Sequence, residues 1–211
     1  MAYDHFITCT KEDILEKTRP RRFETKVGEM IQCPAGDIAA ALDSSPARYV
    51  LLGLAEDIGV TANYGKSGCA TAWDSFLPAF LNIQSNDFFT GDDLLLAGHF
   101  NFNDIRSLIE SNAPDYEEKV AACRHALHTV DEEVEELIKL ITFYDKVPIV
   151  IGGGHNNAYP LIKGAAKGIH KAGRIPLAQI NCISLDAHTD YRPAEGRHSG
   201  NGFRYAEEDG Y

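Results

Sequence analysis

The chain has 211 residues, 44% of them hydrophobic and 24% charged, with a formal net charge of −11. That length can bury one core, the balance excludes fibrous and disordered classes, and the charge argues against nucleic acid or an anionic membrane as partner. No apolar run reaches the roughly eighteen residues of a membrane-spanning helix, and the opening "MAYDHFITCTKEDILEK" lacks a signal-peptide core.

The first predicted buried strand is "RYVLLGL" (48–54), ending in the glycine-bearing loop "AEDIGVTANYGKSG" (55–68). A helix is predicted over 69–83, where Ala70, Trp73, Phe76, Leu77 and Phe80 recur at helical spacing. "DLLLAGHF" (93–100) reads as a second strand, with His99 near its end. Residues 115–146 form the longest helical stretch, with Val120, Cys123, Leu127, Val130, Val134, Leu137 and Ile141 on one face. His125 and His128 on that helix have no carboxylate signature and read as surface or packing residues. "VPIVIGGG" (147–154) is a third strand breaking at glycines, a helix follows over 157–173, and "AQINCISLDAH" (178–188) is a fourth strand. This alternation predicts one α/β domain, 1–211, around a mostly parallel sheet. The five cysteines are odd in number and widely spaced, without a C-x-x-C pair. Neither a disulfide framework nor a zinc cluster is expected, and a reducing cytoplasm is the default location.

Two strand ends carry the chemistry. In "SLDAHTD", Asp186, His188 and Asp190 share one face if the chain stays extended, at the strand end where open α/β sheets place their sites. Aspartate and histidine together suit a divalent ion such as Mn²⁺, and two aspartates can bridge a pair of cations. The alternative is that Asp186 caps a turn and His188 is a satisfied buried histidine. In "IVIGGGHNNAYP", the glycines allow a sharp turn from which His155 projects. That turn could equally cradle phosphate, though the Lys-Ser/Thr of a P-loop is missing.

Together, "GGGHNNAYP" and "SLDAHTD" resemble the first two metal signatures of the ureohydrolase family, which includes arginase, agmatinase and formimidoylglutamase. "LAEDIGVTANYGKSGCATAWDSFLPAFLNIQSN" and "DYRPAEGRHSGNGFRYA" are most similar to the formimidoylglutamase branch. The resemblance runs over 48–211 and implies an arginase-like three-layer sandwich with two Mn²⁺ ions per full-length subunit at the strands' carboxyl ends. It implies His155 on one ion, His188 on the other, and Asp186 and Asp190 shared, with subunits that associate. The family's third signature, S-x-D-x-D-x-x-D, is not matched before the chain stops at "EEDGY". The expectation is therefore an amino-terminal portion, incomplete at its C-terminus, and inactive or a non-catalytic metal-binding fragment by itself.

The resemblance implies hydrolysis of a linear amidine C–N bond by water activated at the metals, with a nearby group relaying a proton to the leaving amine. His198 is the candidate for that relay; a surface histidine is the alternative. The loop after Asp190 carries Arg192, Arg197 and Arg204 in an otherwise acidic protein. Guanidinium forks match carboxylates, which favours the diacid N-formimidoyl-L-glutamate over arginine and agmatine, both cationic at the reacting end; agmatinase, guanidinobutyrase or arginase activity is the alternative. Arg192, Arg197, Ser199 and Asn201 are the candidate substrate-binding residues; solvated arginines, or ion pairs with Glu195 or Glu207, are the alternative for the basic ones.

Overall fold

The apolar runs that lack helical spacing become the centre of one sheet. The computed structural model describes residues 3–211, and its strands are β1 (Phe6–Thr8), β2 (Tyr49–Ala55), β3 (Leu94–Asn101) and β4 (Val147–Ile151). They lie in the order β1-β3-β2-β4. Strand β2 is parallel to both neighbours, and only the edge strand β1 runs antiparallel. Tyr49 stands beside both Leu94 and Val147, and Gly53 beside Ile151, so β2 and β4 start at the same level and β2 runs two residues further. That register sets up the site described below.

The helices are α1 (Lys11–Lys17), α2 (Val27–Met30), α3 (Ile38–Ser44), α4 (Ile58–Thr61), α5 (Ala72–Leu81), α6 (Asn103–Asn112), α7 (Tyr116–Phe143), α8 (Ala158–Lys171) and α9 (Gly202–Glu208). Side chains of β2 alternate between two cores, as a central parallel strand requires. Val50, Leu52 and Leu54 pack with Leu127, Val130, Val134 and Ile141 of α7 on one face. Leu51 packs with Trp73, Leu77 and Leu81 of α5 on the other. Each fully buried leucine contributes about 1.5–3 kcal/mol. The result is the α/β sandwich expected, with helices on both sides of a mostly parallel sheet.

Side-chain caps mark the starts of several helices. Asp115 caps α7 by accepting the Glu118 N–H at 2.9 Å, and the seven apolar positions predicted to share its inner face are all buried. Helix α5 starts inside the predicted span, because a 3₁₀ turn at Cys69–Thr71 leads into it. The short α4 occupies part of the segment expected to be loop. Before residue 48 no element was expected; there Thr10 and Asp13 form a reciprocal cap that starts α1.

The fourth predicted strand is a correction. Residues 178–188 run as irregular backbone, and Ile183 and Leu185 are 96% and 103% exposed rather than buried. An extended segment becomes a strand only by pairing its N–H and C=O groups with a neighbour. Among the described residues β4 pairs with β2 alone, and 178–188 forms no bridge with its free edge. Among the described residues, too, no helix is long and apolar enough to cross a membrane.

Candidate metal centre

Strand β4 ends at Ile151, and the next two residues turn through positive φ, Gly152 at 86° and Gly153 at 81°. A side chain is disfavoured there by backbone conformation. At Gly153 it is also excluded by space, since a Cβ would sit 3.0 Å from the Leu54 carbonyl oxygen. The chain then makes a 3₁₀ turn, His155–Asn157, that leads into α8. This places His155 at the carboxyl end of the sheet. Its half-exposed imidazole stands edge-on to Phe203, with ring centroids 5.3 Å apart.

Two aspartates reach the same point from the irregular segment. His155 Nδ1 is hydrogen-bonded to Asp190 Oδ2 and lies 3.5 Å from Asp186 Oδ2. One ligand atom from each of the three residues falls within 4.8 Å of the others. Donors about 2.0–2.2 Å from a shared ion and at right angles lie roughly 3 Å apart, so the spacing fits one divalent cation. The donor set, two carboxylates and an imidazole, suits a hard or borderline ion. Asp186 Oδ1 also accepts the His188 N–H at 2.7 Å. That bond, with the nearby charge of His155 and His188, holds its carboxyl below the usual range.

The structure leaves His188 outside this cluster. Its side chain is 82% exposed, with Nδ1 3.5 Å from Asp186 Oδ1. The face-sharing expectation fails because strand alternation does not apply to a segment that is not a strand. Asp190 adopts φ 45°, a left-handed turn that aspartate tolerates and a strand does not contain. His155, Asp186, His188, Asp190 and Phe203 all line one open cleft of about 530 Å³.

The arginine loop lies beside the cleft rather than in its lining. Arg197 is buried: Nε and Nη2 donate to Asp131 at 2.8 and 3.0 Å, and Nη2 donates to the Asn156 carbonyl at 2.8 Å. Its guanidinium also stacks over Tyr159 and Tyr205. Arg197, its side chain 11% exposed, is thus held by these partners and lines no part of the cleft, where contact with substrate was expected. Asn201 is fully buried too, accepting from His198 N–H and Arg197 and donating to the Pro193 and Gly196 carbonyls. Ser199 is tied to α4 and the turn after it, its N–H donating to the Gly59 carbonyl and its hydroxyl accepting from Asn63. Arg192 bonds Asn63 at 2.8 Å and stands 3.7 Å from Glu195, yet over half its side chain stays exposed. Arg204 pairs with Glu208 along α9.

His198 is fully buried and lines no part of the cleft. Its Nδ1 accepts the Gly200 N–H at 3.0 Å, which leaves the proton on Nε2, 3.4 Å from Glu195 Oε1. Burial, then Arg124 and Arg192, lower its pKa. That environment favours the neutral imidazole, and burial sets it apart from the cleft where the expected proton relay would act. His128 faces Glu132 on the surface of α7. His99 is stacked on Trp73, and burial lowers its pKa. Sequence reading missed Glu56, Asn63, Asp131 and Phe203. Only the acidic pair Glu56–Asp57, directly after a buried strand, offered a local signal.

Comparison with known proteins bears on the family and the fold. The profile of the arginase family matches residues 47–211. Formimidoylglutamase of Citrobacter koseri is 33% identical over 157 residues, 74% of this chain and 41% of that protein. Its counterpart in Macrococcus caseolyticus is 30% identical, over 73% of this chain and 40% of that one. The chain therefore spans about two fifths of the length of these curated relatives. The crystal structure of formimidoylglutamase from Bacillus subtilis superposes with a TM-score of 0.59 at 19% identity, covering 91% of this chain and 51% of that one. That of Trypanosoma cruzi formiminoglutamase with Mn²⁺ gives 0.53 at 21% identity, covering 86% and 52%. At these identities the two structures establish a shared fold.

Proposed function

The chain belongs to the arginase family, and from that premise we propose that it serves a metal-dependent hydrolase of linear amidines whose substrate is N-formimidoyl-L-glutamate. Water is added and the amidine C–N bond is broken, giving glutamate and formamide. The observation that carries this reading is the convergence of His155, Asp186 and Asp190 at the carboxyl end of the sheet. The formimidoylglutamase relatives supply the substrate.

In this reading His155, Asp186 and Asp190 hold Mn²⁺, and His188, in the same cleft, is the side chain available to extend the donor set toward a second ion. The bound metal supplies Lewis acidity, which makes hydroxide available near neutral pH. The protein's own residues do the rest. The contact between His155 Nδ1 and Asp190 Oδ2 keeps these two donors together, ready to turn to a shared ion. Phe203 closes one side of the imidazole against water. Arg192 is the exposed guanidinium of the adjoining loop and the candidate partner for a substrate carboxylate. The free thiols of Cys9, Cys33, Cys69, Cys123 and Cys182 suit a reducing, cytoplasmic setting.

The test is a four-substrate assay of the whole enzyme with Mn²⁺, using formimidoylglutamate, agmatine, 4-guanidinobutyrate and arginine. Formamide release from the first at the highest kcat/KM is expected. Preference for a cationic substrate would overturn the substrate assignment, and undiminished turnover after chelation would overturn the metal.

A further inference from the structure

Glu56 follows directly on β2 and is 3% exposed, yet among the described residues no cation pairs with it. Its carboxylate is instead surrounded by N–H groups. Oε1 accepts from the Gly154 backbone at 3.0 Å, from Asn157 Nδ2 at 2.5 Å and from Asn156 Nδ2 at 3.2 Å. Oε2 accepts from the Ile58 N–H at 2.8 Å and, more weakly, from Gly59 at 3.5 Å. Three of these five donors belong to the residues on either side of His155. A buried carboxylate left unpaired is costly, so this convergence of donors holds those residues tightly.

The surroundings are shaped for that convergence. A Cβ at Gly59 or Gly154 would stand 2.0 or 2.2 Å from Asn156 Oδ1, so only glycine leaves room for the amide at both positions. The Oδ1 atoms of Asn156 and Asn157 are buried with no hydrogen-bond partner. Turning either amide over would bring its oxygen against the carboxylate, so both are committed to Glu56 through nitrogen.

We infer that Glu56 is the positioning residue of the metal-bearing turn. It ties the end of β2 to Gly154, Asn156 and Asn157, and so determines where His155 presents its imidazole. The inference rests on the reading of His155 as a metal donor. Glu56 itself lines no part of the cleft.

The experiment is Glu56→Gln. The side chain keeps its shape, but its amide NH₂ must face N–H donors whichever way it turns, Gly154 on one side and Ile58 on the other. Three quantities are read on the folded protein: amide exchange at 154–157 against β3, the imidazole resonances of His155, and Mn²⁺ affinity by electron paramagnetic resonance. Expected are faster exchange at 154–157 with β3 unchanged, a shifted His155 resonance, and affinity weaker by about 10–100-fold, the usual effect of losing a group that orients a ligand. A carboxylate that merely stabilises the fold would lower Tm and leave the His155 resonance and affinity in place; that result overturns the proposal. If Glu56→Gln does not fold, Asn157→Ala removes the 2.5 Å donor and must produce the same changes in smaller measure; their absence also overturns it. If the unaltered protein binds no Mn²⁺, the metal reading fails separately. Exchange and the His155 resonance then decide the positioning role by themselves, selective changes supporting it and unchanged values overturning it.

Discussion

His155 and Asp190 meet side chain to side chain across 35 positions of sequence, one on the turn after β4 and the other on an irregular loop. Asp190 is not held there by regular structure. The contact therefore depends on the loop's own geometry, including the left-handed backbone at Asp190.

Asp190→Asn tests that contact, because asparagine tolerates the same backbone and removes only the charge. Mn²⁺ should raise the Tm of the unaltered protein through binding linkage, and this rise should be largely lost in the variant. A calorimetric scan with and without Mn²⁺ checks it. An equal rise in both proteins would remove Asp190 from the donor set.

Arg197 and Arg192 should behave in opposite ways. Arg197→Ala leaves Asp131 buried without its partner, which costs on the order of 3–5 kcal/mol in urea unfolding. Adding Asp131→Asn should recover part of that loss. Arg192→Ala should change stability by no more than about 0.5 kcal/mol, as expected of an exposed side chain. Comparable losses in the two single variants would contradict the assignment of one to the interior and the other to the surface.

In the whole enzyme Arg192→Ala should raise KM for formimidoylglutamate while leaving metal content unchanged. A partly buried guanidinium–carboxylate contact is worth about 2 kcal/mol, or roughly thirtyfold. Because Arg192 is largely exposed, a smaller factor is expected. Steady-state kinetics decide this, and an unaltered KM would leave the substrate's carboxylates without a reader in this loop.

Two histidines should give stability opposite slopes with pH. Burial works to lower the His5 pKa, but its bonds to Glu133 and Asp104 outweigh that and raise it. Its contribution is complete below the unfolded value of about 6.5 and fades as pH rises through the folded one. His198 is shifted down, first by burial. Its contribution is complete above about 6.5 and fades as pH falls toward the folded value. Urea midpoints of His5→Gln and His198→Gln between pH 5 and 8, each subtracted from the parent, should trend in opposite directions. Parallel trends would refute the two environments.

What could be read from the residues depended on the range of the forces involved. The inner face of α7 was legible because seven apolar positions repeat at one period and a single helix answers to them. Strands β2, β3 and β4 were legible as short apolar runs bounded by turn residues. The run at 178–188 has the same composition, but a strand also needs a neighbour, which no property of the run itself discloses. Of the candidate site, His155, Asp186 and Asp190 were visible as residue types that follow apolar runs. The contacts around them were not: Glu56 and Asn157 lie 101 positions apart, and Asp131 and Arg197 lie 66. Arginine next to a metal motif reads the same whether it faces a ligand or a buried aspartate.

The guanidinium of Arg197 also makes three parts of the chain inseparable. It touches Asp131 on α7, the carbonyl of Asn156 ahead of α8, and Asn201 at the start of α9. A chimera that borrowed α7 alone from a relative with a neutral residue at that place would strand a guanidinium in the interior. One that borrowed the loop alone would strand the carboxylate. Modules exchanged between members of this family should therefore be cut so that positions 131, 156, 197 and 201 travel together.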